Sequence, residues 1–169
     1  FGFQIYFDFA GYSSIAIGSG RLLGYNIREN FDFPYASTSP REFWKRWHIS
    51  LSTWIRDYLY LPIIGGYRPQ AATAWDTLAD EGDRKASQFR RTWGLFLTWG
   101  IMGLWHGAAW TFVVWGLYHA LIVYLHRIFA KRVAMPANAF GWAASVAITL
   151  PIMMAGWIPF RAAGLGDTF

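Results

Sequence analysis

Four apolar stretches, parted by polar and charge-bearing connections, set the rhythm of the chain. The first, Phe1 to about Ser19, is interrupted by Asp8 and leads into a polar connection from Arg21 to Ser39. The second opens on "STSPREFWKRW". Ser39 is a good helix N-cap, Pro40 fits the first helical position, and Glu42 stands where a capping box wants it. These signals predict one helix from Ser39 to about Tyr60, stopped by Pro62 and the Gly65–Gly66 pair. At about 100° per residue, Phe43, Trp44, Trp47, Leu51, Trp54, Ile55, Tyr58 and Leu59 share one wide face, with Lys45, Arg46, Arg56 and Asp57 opposite. Such a helix lies along a membrane or protein boundary, and His48 falls inside its apolar face.

The third stretch, Thr92 to His126, contains no Asp, Glu, Lys or Arg. It exceeds the about 20 residues that one spanning helix needs, yet is short for two complete spans and a turn. Basic clusters, Arg84–Arg91 and Arg127–Arg132, flank both ends. If both stay on the cytoplasmic side, the run must enter and return through broken or shortened helices around Gly100, Gly103 and Gly107. His106, in "GLWHGAAW", then lies at the break, deep in the membrane. A single long tilted helix is the competing arrangement, and it leaves Arg84–Arg91 against the positive-inside tendency. The fourth stretch, Ala139 to Ile158, reads as a further span with Pro151 as a kink and Trp157 and Arg161 as interface anchors.

Residues 67–90 read as a solvated loop; Gln70 to Gln88 alone carries four of the ten acidic residues. The remainder reads as one domain over 1–169, without internal repeats. A first residue of Phe rather than Met, with no charged leader or cleavage site, points to a segment of a longer chain.

Composition strengthens the membrane reading. The 169 residues are 54% hydrophobic and 20% aromatic but only 15% charged, against roughly 25% charged in an average soluble domain. The net charge of +5 does not signal nucleic acid, because the eleven Trp sit in apolar surroundings rather than along a basic groove. The basic clusters instead flank apolar stretches, as cytoplasmic membrane borders do. Without cysteine there are no disulfides, thiol nucleophiles or thiolate metal sites. The fold class that follows is all-α: a polytopic membrane protein with transmembrane, re-entrant and interfacial helices.

Candidate chemistry rests on the histidines. His106 either packs beside Gly103 and Gly107, whose G-x-x-x-G spacing suits close helix approach, or serves function, the default for an ionisable group inside a span. Burial favours a neutral imidazole, the state a general base requires. For His48 packing and function are evenly balanced. His119, sharing a face with Trp115 and Ile122, and His126, beside Arg127, read as structural. The loose pair His119 and His126 has no Glu or Cys beside it, so no metal site is expected. Asp8 needs a partner if it lies in the bilayer: an Arg, a Trp N–H or a hydroxyl. Arg56 and Asp57 project about 100° apart, which predicts pairing with other elements rather than with each other.

Taken together, "YFDFAGYSSIAIGSGRLLGYNIRENFDFPY", "SPREFWKRWHISLSTWIRDYLYLPIIGG", "GLWHGAAWTFVVWGLYHA" and "GWIPFRA" resemble the membrane-bound O-acyltransferase family, in its bacterial polysaccharide branch that serves alginate O-acetylation. The chain departs from that branch at "LPIIGGYRP", which carries an extra residue, and in the acidic Ala-rich loop after it.

The resemblance implies helices forming part of an acyltransferase tunnel in the bacterial cytoplasmic membrane. It implies that His106 of the W-H-G motif is catalytic and that His48 of R-W-H-x-S-L-S lies near the same tunnel, orienting substrate or binding donor. Trp105, Trp47, Asp8, Arg56 and Asp57 would support it. The implied reaction transfers an acyl group, acetyl by expectation, to polysaccharide hydroxyls. The donor would be acetyl-CoA or an acyl-carrier thioester, with no bound cofactor. Partners would be the polysaccharide or an extracytoplasmic acyltransferase, together with membrane lipids. Two other readings remain: a transporter or channel segment with His106 and Asp8 as polar stations, and a noncatalytic envelope scaffold.

Overall fold

The computed structural model describes residues 1–65, 87–130 and 135–162, and every regular element among them is helical. Helix α1 (Gly2–Leu22) leads through a 3-10 turn (Pro34–Ala36) to α2 (Pro40–Arg46), α3 (Ile49–Ile55), a π-helical turn (Arg56–Tyr60) and α4 (Leu61–Ile64). After the undescribed residues 66–86 come α5 (Gln88–His106), α6 (Trp110–Phe129), α7 (Ala139–Ala155) and α8 (Trp157–Arg161). Most of the expected solvated loop lies outside the described residues, but 88–90, assigned to it, are helical.

The start of α2 follows the capping logic with one shift. Ser39 Oγ accepts from the Glu42 N–H at 3.2 Å, but the Glu42 carboxylate accepts from the Thr38 N–H at 2.7 Å and the Thr38 hydroxyl at 2.6 Å, one residue before the cap. Its other oxygen takes the Arg46 guanidinium at 2.7 Å.

The single helix expected over Ser39–Tyr60 is broken. Trp47 is extended, and His48 takes a left-handed conformation (φ 45°, ψ 56°). The residues before α2 explain the break. Asp32 N–H donates to the Arg46 carbonyl and Ile49 N–H to the Asn30 carbonyl, both at 3.0 Å, in an antiparallel bridge that pairs Phe31 with Trp47. Asn30 Oδ1 also accepts from the Ser50 N–H at 3.1 Å and its hydroxyl at 2.6 Å. These bonds cap α3 where an N-cap side chain otherwise would. A left-handed L-residue costs about 1–2 kcal/mol; hydrogen bonds of about 1 kcal/mol each offset it.

The break cuts the expected apolar face in two. Phe43, Trp47 and Ile55 are buried, whereas Trp54 and Tyr58 turn outward. Pro62 does not stop the helix: Ile49–Ile55, the π turn Arg56–Tyr60 and Leu61–Ile64 follow one another without a gap, and the chain is widened to π geometry immediately before the proline. The stop comes at Gly65 (φ 81°).

The uncharged stretch forms a hairpin, not one long helix. α5 ends at His106 and α6 starts at Trp110, and the two pack along each other. Neither is much shortened, because α5 begins inside the basic flank, where Ser87 Oγ accepts from the Arg90 N–H at 3.3 Å. Gly100 and Gly103 stay within α5. Two glycines permit the close approach: a Cβ on Gly103 would strike the Phe112 carbonyl, and one on Gly116 the Trp99 carbonyl.

Two helical stretches, Trp110–Phe129 and Ala139–Arg161, are long and apolar enough to cross a membrane. Pro151 sits inside α7 without ending it; the chain breaks at Gly156. Trp157 is no interface anchor. It is 4% exposed and packs on Trp47 at 5.0 Å. Arg161 lies over the Phe1 ring at 5.6 Å. The core is aromatic: Phe43 stacks on Trp47 at 5.5 Å, and Trp44 meets Trp99 edge-on at 4.8 Å. Such pairs contribute about 0.5–1.5 kcal/mol each beyond area burial.

Candidate active site

Two helix breaks bring two histidines into one region. His106 is the last residue of α5, and its half-buried ring sits 4.8 Å from Trp105, 5.0 Å from Trp115 and 5.3 Å from Phe160. The turn after it is held by packing rather than by unusual dihedrals: Gly107 is extended, and the Phe112 ring occupies the space a Cβ would need. The short connection therefore presents His106 at the end of α5, against α6 and α8.

His48 enters from the other break. Its left-handed backbone carries the ring to α1, where it meets Phe9 edge-on at 4.6 Å. Its Nδ1 is buried without a hydrogen-bond partner among the described residues. Burial holds the His48 imidazole down at about 4, and nearby His106 adds to that effect by disfavouring a second positive charge. His48 is therefore neutral near pH 7, and the two rings lie within electrostatic reach of one another. Among the described residues no carboxylate hydrogen-bonds either ring, and no group of three or more His, Asp or Glu could hold a metal ion.

The other candidates divide. Trp47 is buried, stacked on Phe43 and tilted against Trp157. Trp105 touches His106 but is 64% exposed. Asp8 does not find the partner expected of it. It lies on the exposed side of α1 with no hydrogen bond or ion pair among the described residues, since α1 packs through Tyr6 and Phe9 instead. Arg56 and Asp57 do pair with each other, contrary to expectation, through Nε and Nη2 to Oδ1 at 2.6 Å. The Arg56 side chain is 13% exposed, and a mostly buried guanidinium needs a carboxylate close by; its length lets it fold back across one residue.

Two contributors escape a sequence reading: Asn30 clamps the His48 break, and Phe160 walls His106. His119, by contrast, fills the centre of the core. His119 is 1% exposed, ringed by Trp44, Trp99 and Trp115, and its Nε2 lies 2.5 Å from where a Gly156 Cβ would stand. Its central burial fits the structural reading. Asn30 carried one usable signal, a residue type that bonds backbone N–H groups; its partner is distant in sequence.

Comparison of the sequence with known proteins places the chain in a class. The model of the membrane-bound O-acyltransferase family matches residues 1–75. The chain is 40% identical over 163 residues to the probable alginate O-acetylase AlgI of Pseudomonas aeruginosa, covering 96% of this chain and 27% of that protein. It is 34% identical over 170 residues to the peptidoglycan O-acetyltransferase of Helicobacter pylori (98% and 28%) and 31% identical over 166 residues to the teichoic acid D-alanyltransferase of Bacillus subtilis (95% and 39%). The chain belongs to the membrane-bound O-acyltransferase family. It spans between 27% and 39% of the length of these relatives.

Proposed function

We propose that the whole protein is an O-acyltransferase of the bacterial cytoplasmic membrane, multi-pass, that moves an acyl group, acetyl in the first instance, onto hydroxyls of a cell-envelope or exported polysaccharide. The relatives are named for acyl transfer to alginate, peptidoglycan and teichoic acid. The observation that carries the reading is the convergence of His48 and His106 from two separate helix breaks onto one aromatic-walled region.

In the proposed reaction His106 is the general base. Its imidazole takes the proton of the acceptor hydroxyl as that oxygen attacks the thioester carbonyl of an acetyl-CoA or acyl-carrier donor. The tetrahedral adduct expels the thiolate, which takes the proton back from the imidazolium; the products are an ester and a free thiol. The position of His106 suits this cycle, since the C-terminal end of a helix carries partial negative charge and stabilises an imidazolium as it forms. His48 orients substrate or binds donor from the facing break. The aromatic walls exclude water that would hydrolyse the acyl group.

The test is ester content of envelope and secreted polysaccharide in cells carrying the full-length protein, wild type against His106→Gln and His48→Ala, with membrane abundance measured alongside. Loss of esters in His106→Gln at normal abundance is the expected result. Intact acetylation in that variant overturns the general-base role and favours a transport segment or a scaffold.

A further inference from the structure

The place of His48 depends on residues far from it in sequence. Its backbone is left-handed, a conformation that among the described non-glycine residues only Phe33 shares. Its Nδ1 is buried with no hydrogen-bond partner among the described residues, so no bond at that atom orients the ring. What holds the imidazole acts through its backbone and through the surfaces on which it packs.

The backbone is held by an exchange of partners. In a helix running unbroken from α2 into α3, the Ser50 N–H would donate to the Arg46 carbonyl four residues back. Here both groups of that missing bond are taken by the connection before α2. The Arg46 carbonyl accepts from the Asp32 N–H at 3.0 Å, and the Ser50 N–H donates to Asn30 Oδ1 at 3.1 Å. Asn30 adds two more bonds: its Oδ1 accepts from the Ser50 hydroxyl at 2.6 Å and its carbonyl from the Ile49 N–H at 3.0 Å. The two residues that follow His48 are therefore both anchored on Asn30, whose side chain caps α3 from outside the helix.

The ring is held by the next residue of the same connection. Phe31 pairs with Trp47 across the bridge and meets Phe9 of α1 edge-on at 5.1 Å. Phe9 in turn meets the His48 ring edge-on at 4.6 Å. Edge-on aromatic contacts favour one relative orientation of the two rings. The dipeptide Asn30–Phe31 thus fixes the backbone of His48 on one side and the floor beneath its ring on the other.

We infer that Asn30 and Phe9 are positioning residues that act through His48: Asn30 sets where the side chain leaves the backbone, and Phe9 sets how the imidazole lies. The kinetic consequence rests on the acyl-transfer reading, whereas the hold on His48 has a readout of its own.

The experiment uses membranes holding the full-length protein: wild type, Asn30→Ala, Asn30→Asp and Phe9→Leu, each repeated in a His48→Gln background. Labelling of the histidines by diethylpyrocarbonate is followed by mass spectrometry, and initial rates of acyl transfer are taken on the same membranes. In Asn30→Ala the labelling rate of His48 is expected to rise about threefold relative to His106, as local opening exposes the ring. His119, 1% exposed, is expected to stay unlabelled and so to report an intact fold. Turnover is expected to fall about tenfold, as loss of the side-chain bonds does. Asn30→Asp keeps an oxygen acceptor and is expected to restore most of both readouts. Phe9→Leu leaves every hydrogen bond of the break in place and is expected to lower turnover about threefold; it decides the matter if Asn30→Ala exposes His119. In the His48→Gln background neither change is expected to lower turnover further, because residues that act through one side chain are not additive. Unchanged His48 labelling in both single variants overturns the proposal, and so does a full additive loss in the His48→Gln background, which would make Asn30 a helix cap and nothing more. Labelling as expected in a protein whose wild type transfers no acyl group supports the hold on His48 and sinks the acyl-transfer reading alone.

Discussion

The two helix breaks that carry His48 and His106 are built by opposite means. At His106 the chain turns with ordinary dihedrals, and glycines make room: Gly103 lets α6 approach, and Gly107 yields its Cβ space to Phe112. At His48 there is no glycine. The residue itself takes φ 45°, held by the bridge from Asn30–Asp32 and the Asn30–Ser50 bonds. One break is local and spacious; the other is imposed by a distant segment on a residue that resists it. Strain of this kind at a non-glycine residue is characteristic of functional sites. It gives His48 a backbone cost that only a need for its side chain, or for its position, would justify.

The largest expected effect separates the two rings by chemistry. His106→Gln lowers acyl transfer about 10²–10⁴-fold, the usual contribution of a general base, with little change in apparent acceptor affinity. An equal fall for His48→Gln with unchanged donor and acceptor KM would erase the distinction between base and orienting residue. Initial rates with membranes matched for protein abundance decide this.

Next in size is the spacious break. Gly103→Val drives a side chain into the Phe112 backbone, which cannot swing aside as a side-chain tip could, and costs about 1–3 kcal/mol or more. Thermal unfolding of the detergent-solubilised full-length protein measures it; an unshifted midpoint would mean that the α5–α6 contact loosens in the membrane.

The strained break should answer in the opposite sense. His48→Gly removes the left-handed penalty and raises stability by up to about 1 kcal/mol, while lowering turnover because the imidazole is gone. A drop in stability would show that packing against Phe9 outweighs the backbone cost. Asn30→Ala is the complement: it unclamps α3 and lowers turnover without touching either ring.

The smallest effect concerns the cap that leads into this break. Burial alone would raise the Glu42 carboxyl, but hydrogen bonds from Thr38 and the Arg46 charge outweigh it and hold the carboxyl below its usual range. A carboxyl lowered in the folded state stabilises above its unfolded value, about 4.3, and that contribution disappears as pH falls through the folded value. The stability gap between wild type and Glu42→Gln is therefore full at pH 7 and closes below about pH 4. A gap that persists in acid would assign the difference to packing.

Both breaks mark how far residue patterns reach. The Ser39 cap, the uncharged run, its flanking clusters and the glycines around His106 act over a few residues, and they foretold α2, the hairpin and the position of His106 at its turn. The His48 break was illegible: "RWHIS" satisfies a helical period, and the residue that interrupts it, Asn30, bonds from well upstream. For the same reason the faces assigned to Trp54, Tyr58 and Arg56 do not survive the cut in the helix, and Trp157, which the local pattern places at an interface, is buried.

The sequence by itself determined that this chain is helical and apolar, where α2 and α7 begin, and which family it belongs to. Those properties depend on side-chain type, capping and local spacing. The tertiary structure alone decided that His48 and His106 lie within electrostatic reach of one another, that Arg56 and Asp57 pair, and that Asn30 breaks the helix at His48. Each of these depends on segments distant in sequence competing for the same backbone hydrogen bonds and the same packing space, and no local pattern records which of them wins.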